Sequence, residues 1–138
     1  MAKKMFVTSG AEALFDNIAP YMVHQCWCMY MLGMGKGYNL QATEENIKSL
    51  ENGIVVFKQS PNITPEQMHN NWVKFKLANG WVYGLAKDVD AKIHPDLRPY
   101  NELPMEERNK DKMTLETLRF CVWLANGMEE NAEKYEKS

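Results

Sequence analysis

Four flat side chains and four cations fall within one stretch of this sequence: Trp72, Trp81, Tyr83 and Tyr100, with Lys76, Lys87, Lys92 and Arg98. Aromatic faces stack planar groups, each stacked base being worth roughly 1–3 kcal/mol. Lysine and arginine meet phosphate. Trp81 and Tyr83 lie two apart in a β-forming run, which turns both to the same side of a strand, and Gly80 and Gly84 beside them leave that side open to approach. Trp72 shares helical spacing with Met68 and Phe75, the pattern of a core residue. The expected contact surface is therefore Trp81 and Tyr83, with His69, Trp72, Lys76, Lys87, Asp88, Lys92, His94, Arg98 and Tyr100 as further candidates.

The remaining reactive residues point away from catalysis. His69, on the helix that carries Trp72, reads first as a structural histidine, and His94 before Pro95 as a hydrogen-bonding group near Asp88. Neither has a serine or cysteine nucleophile at motif spacing, because Cys26 and Cys28 lie on an apolar helix and Cys121 faces a core. A hydrolase or transferase built on either histidine is the weakest of the readings. Asp88 and Asp90 bracket a turn, where aspartate commonly caps its own backbone, and Glu106, Glu107, Arg108 and Lys110 read as a solvated helix face. His24, Cys26 and Cys28 are spaced i, i+2, i+4 and do not share one helix face, so no metal site is expected, and no cofactor.

The elements that must carry these residues are mostly helical. Leu14, Ile18, Met22, Cys26 and Tyr30, with Phe15, Val23, Trp27 and Met31 beside them, predict a buried helix that tolerates Pro20 in its first turn and ends at Gly33, Gly35 and Gly37. That glycine cluster follows a helix and lacks the Gly-Lys-Ser/Thr ending of a phosphate loop, which favours a helix-terminating loop. Thr43 caps a second helix through Ile47, Leu50, Ile54 and Phe57, weakened or ended early by Gly53. Thr64-Pro65-Glu66-Gln67 is a capping box with proline at the first position, opening a third helix to about Asn79 with Gly80 as its stop. The run 81–86 and the run 91–94 predict a β-hairpin across 87–90. Pro104 starts a helix to about Asp111, and Thr114 caps another stretch, with Leu115, Leu118, Val122 and Ala125 on one face, closed by Gly127. Residues 1–10 read as frayed and 128–138 as a charged tail.

Length and composition fit this reading. A chain of 138 residues with 45% hydrophobic and 25% charged residues makes one domain that can bury a core. A formal net charge of −2 lacks the basic excess of a general nucleic-acid binder. No apolar run is long enough for a signal region or a membrane span, and three cysteines fit a reducing compartment, so a cytoplasmic protein is expected.

The pattern N-I-x-P-x-x-x-H-x-x-W-x-x-x-x-L occurs twice, from Asn17 to Leu32 and from Asn62 to Leu77, which suggests a pseudo-twofold pair of helices. From Ile63 onward the order His-x-x-Trp, Gly-Trp-x-Tyr-Gly, His-Pro-x-Leu, Pro-Tyr, Glu-Leu-Pro and Thr-Leu-Glu-Thr-Leu resembles the RyR domain, the repeat of ryanodine receptors, over about half the chain. The domain also occurs as small stand-alone proteins in bacteria and phages, and residues ahead of Ile63 look like the N-terminal extension of the phage forms. The resemblance implies an α+β, mainly α-helical fold: a single domain over 11–127, in which 11–60 is an N-terminal helical part and 61–127 the repeat. It further implies a binding module rather than an enzyme, for a nucleotide or a nucleotide-derived signal. In a phage this would be a soluble binder that sequesters a host immune signal such as a cyclic ADP-ribose isomer, acting in the host cytosol. The family usually has Glu after the motif histidine, where this chain has Asn70, so a contact made by that Glu is altered or lost. The alternative is a protein-interaction or structural subunit with no small ligand, built on ten methionines and exposed aromatics. An incomplete repeat pair also suggests a homodimer, with helix 18–32 and its Tyr21, Met29 and Met34 as the contact.

Overall fold

The computed structural model describes residues 4–136, with the backbone alone over 132–136. Four helices and two short strands follow in the order α1 (Ser9–Gly33), α2 (Glu44–Gln59), α3 (Pro65–Ala78), β1 (Val82–Tyr83), β2 (Ile93–His94), a 3-10 turn (Tyr100–Glu102) and α4 (Met105–Glu136). The fold is mainly α-helical with a small sheet. No helix among the described residues is long and apolar enough to cross a membrane.

Three helices begin where a threonine supplies the missing acceptor. The Thr8 hydroxyl accepts from Ala11 N–H, Thr43 from Asn46 N–H, and Thr64 from Gln67 N–H, while the Gln67 side chain returns a bond to Thr64 N–H. The sequence reading found the second and third of these starts and missed the first. Pro20 consequently lies inside α1 rather than in a first turn, where it has no N–H to give the preceding turn. The buried stripe of α1 runs through Ala11, Phe15, Ala19 and Val23, one position beyond the stripe expected from Leu14, Ile18 and Met22.

The chain divides into two compact units. The first comprises Met1–Gln41 with Glu116–Ser138, and the second Ala42–Leu115. In the first unit Phe15, Val23, Cys28, Leu118, Cys121 and Ala125 are buried, and the Phe6 ring lies 5.1 Å from that of Phe15. Of the segment 1–10 expected to fray, residues 1–3 lie outside the described residues and the rest is tied down: Val7 N–H donates to Asn126 Oδ1 (3.0 Å), and Asn126 Nδ2 donates to the Met5 carbonyl (3.1 Å). In the second unit Ile54, Phe57, Ile63, Met68, Trp81, Leu97, Leu103 and Leu115 form the core.

Two expected breaks are absent. α4 is continuous from Met105 to Glu136, so neither Thr114 nor Gly127 interrupts it and much of the predicted tail is helix. Thr114 turns its hydroxyl back to the Lys110 carbonyl at 2.9 Å, which satisfies it inside a helix instead of at a cap.

The hairpin is also corrected. β1 and β2 pair in parallel, with Val82 opposite Ile93 and Tyr83 opposite His94. The antiparallel reversal lies further along, as a bridge between Asp88 and Ile93 closed by Asp88 Oδ1 accepting from Ala91 N–H (3.1 Å) and by Lys92 at φ 56. Having turned there, the chain runs beside Val82 in the same direction.

Candidate functional site

The second unit brings seven of the predicted residues into connected contact, in an arrangement different from the expected one. α3 places His69, Trp72 and Lys76 at helical spacing. His69 stacks on Trp72 (centroids 5.7 Å), Trp72 meets His94 edge-on (5.0 Å), His94 approaches Trp81 (6.2 Å), and Tyr100 tilts against His69 (5.9 Å). Lys76 Nζ lies 4.7 Å from the Trp81 centroid, and the Arg108 guanidinium 5.6 Å from that of Tyr100. Arg98 joins through its carbonyl, which accepts from His69 Nε2 at 2.8 Å.

The burial of the two tryptophans is the reverse of what the sequence suggested. Trp81 is only 3% exposed, and its indole N–H donates to Glu45 Oε1. Trp72 is partly exposed. The strand face beside Trp81 is also closed, because a Cβ at Gly84 would collide with the Ile93 side chain. Glycine is required there for close approach, not for ligand access. Tyr83, opposite His94 in the strand pair, is 49% exposed. Asp88 is occupied in its turn, and Lys92 Nζ donates to the Asn79 carbonyl at 2.9 Å.

Charge is distributed unevenly around the rings. Burial, followed by the fields of Lys87 and Lys76, lowers His94 from 6.5 to about 4, so its imidazole is neutral at physiological pH. Its Nδ1 accepts from Asp96 N–H (3.1 Å), which leaves the ring proton on Nε2. Lys76 is buried beside Glu45 (3.6 Å), and desolvation lowers its pKa against the pull of that carboxylate. Arg98 Nε is buried with no hydrogen-bond partner.

Sequence reasoning missed a carboxyl cluster below the rings. Burial, together with hydrogen bonding and repulsion from Glu107, raises Asp96 to about 7; burial, with Asp96 and Glu107, raises Asp111 to about 7. Asp111 Oδ2 lies 3.7 Å from His69 Nδ1, and Lys110 pairs with Glu107 at 2.8 Å. Glu107 and Lys110 thus belong to this cluster and not to a solvated face. The signal was weak because Asp96 precedes the helix that carries the other three.

Such an arrangement can stack a planar group on Trp72 and meet anions with Lys and Arg, while protonated carboxyls donate hydrogen bonds near neutral pH. The cysteines lie in the other unit, where burial raises Cys28 and takes Cys121 to about 11, away from thiolate chemistry. Among the described residues no three His, Cys, Asp or Glu side chains group as a metal site. A separate depression of about 490 Å³ over Ser60–Ile63 and Gln67 includes none of the clustered rings.

The local geometry of the sequence repeat is also real. His24 stacks on Trp27 (5.8 Å) and its Nε2 donates to the Asn39 carbonyl (2.7 Å), as His69 does with Trp72 and Arg98. Each histidine fastens a following loop to its helix. A family model for the RyR domain matches residues 56–130, a span that holds α3, both strands and the whole cluster of rings and carboxyls. Covering more than half of the 138 residues, that match makes this chain a member of the RyR domain family.

Proposed function

We propose that this chain is a non-catalytic module that binds a small nucleotide-like ligand at the ring cluster of its second unit. The observation that carries the reading is the partly exposed Trp72, which stacks on His69 and meets the neutral His94 edge-on, with Tyr100 and the Arg98 carbonyl joined through His69 and the charges of Lys76 and Lys87 acting on His94. A base would stack on Trp72, and the unpartnered Arg98 Nε would meet a phosphate oxygen. The absence of catalysis is part of the proposal: His69 is engaged through Nε2, and His94 is held neutral with its Nδ1 occupied.

Family membership extends the reading to sequestration, in which the protein lowers the free concentration of a nucleotide signal, such as a cyclic ADP-ribose isomer in a phage-infected cell. Calorimetric titration with adenine nucleotides, dinucleotides and cyclic ADP-ribose isomers tests it. Saturable binding of one compound, recovered unaltered, is expected. Silent titrations with folded protein overturn the ligand reading, and turnover of the compound overturns the non-catalytic part.

A further inference from the structure

α4 presents an aromatic pair to solvent within the first unit. Trp123 is 70% exposed and Phe120 46%, and their rings lie 5.9 Å apart with planes at 30°. Gly127 follows one turn beyond Trp123 on the same side of the helix, and a Cβ placed there would meet nothing within 4 Å. A projecting ring and an open notch therefore stand side by side on one helix face. Arg119, paired with Glu116 one turn before it at 2.8 Å, lies at one end of this face and Glu130 at the other, both exposed.

We propose that this face of α4 is a self-association surface that takes a second copy of this chain in antiparallel, twofold contact. A twofold axis near position 125 sets Trp123 over Gly127 of the partner subunit, and the same operator repeats the contact in reverse. It also brings Arg119 and Phe120 opposite Glu130 of the partner subunit. Shape and charge are thus satisfied by one symmetry operation. α1 offers Tyr21, Met29 and Leu32 as an exposed alternative, with Tyr21 and Met29 about 12 Å apart and the polar Gln25 between them. Two aromatics on each copy cover less than the roughly 1,200 Å² of a standard interface, so the dimer is weak and dissociates on dilution.

Sedimentation velocity over a concentration series from low micromolar to millimolar tests the contact. The full chain is expected to move from 16.0 kDa toward twice that mass. Trp123→Ser should remain monomeric while keeping the wild-type circular dichroism, because the side chain is solvent-exposed. Gly127→Leu is the sharper variant: it fills the notch, improves helix propensity, and should raise Tm while abolishing the dimer. Arg119→Glu should weaken association and Glu130→Arg added to it should restore it. Wild-type protein that stays monomeric, Gly127→Leu that dimerises normally, or loss of the dimer in Tyr21→Ser/Met29→Ser with retention in Trp123→Ser overturns the proposal.

Discussion

Trp81 shows how a single indole can look like a ligand platform in sequence and serve as a core residue in the fold. Its neighbours Gly80 and Gly84 suggested open access, yet Gly80 is there for a φ of 88 after α3 and Gly84 for the approach of Ile93. The ring is covered instead by Lys76, with Glu45 accepting its N–H. Trp81→Ala should therefore cost about 3–5 kcal/mol, as large core truncations do. Trp72→Ala should leave Tm closer to wild type and remove ligand binding. Chemical denaturation of both variants beside titration of Trp72→Ala checks the pair; a Trp81→Ala protein as stable as wild type would return Trp81 to the ligand surface.

At the scale of elements, what depends on a few adjacent residues was legible. Thr43, the Thr64-Pro65-Gln67 box and Gly80 marked helix ends that the structure contains, because caps and left-handed stops are local chemistry. What depends on tertiary contact was not. The parallel pairing of Val82 with Ile93 reverses the hairpin, and packing carries α4 through Thr114 and Gly127 despite their stop signals. The carboxyl cluster joins Asp96 to Glu107 and Asp111 on α4, and it has a pH consequence. Asp96 and Asp111 keep protons to about pH 7 in the folded chain that an ordinary carboxyl releases near 3.8, so folding takes up protons and stability falls as pH rises through that window. His94 acts in the opposite sense, because its folded value of about 4 lies below 6.5 and its contribution grows with pH. Two carboxyls outweigh one imidazole, and Tm should decline from about pH 4.5 to 7.5. Asp111→Asn should flatten the decline and His94→Gln should steepen it; a Tm that climbs across the range contradicts the cluster.

Across the whole molecule, one local device is used twice. Each compact unit has a helix whose histidine stacks on the tryptophan three residues later and donates to a carbonyl in a following segment, Asn39 in the first unit and Arg98 in the second. The first copy adds Cys28, whose thiol also reaches the Asn39 carbonyl at 3.4 Å, whereas the second adds Asp111, His94 and Tyr100. Thus the fastening is common to both, and the second also joins a larger cluster of rings and carboxyls. Replacing either histidine by glutamine should loosen its own loop, because the ring N–H bond to the following carbonyl is lost, at about 0.5–1.5 kcal/mol. Hydrogen exchange should accelerate over 34–41 in His24→Gln and over 94–100 in His69→Gln, each without change in the other segment. On the proposed reading nucleotide binding should survive the first substitution and weaken in the second, since His69 both stacks on Trp72 and holds the Arg98 carbonyl. Equal loss of binding in both variants, with exchange changed only locally, would move the ligand away from the ring cluster and leave His69 a purely structural fastener like His24.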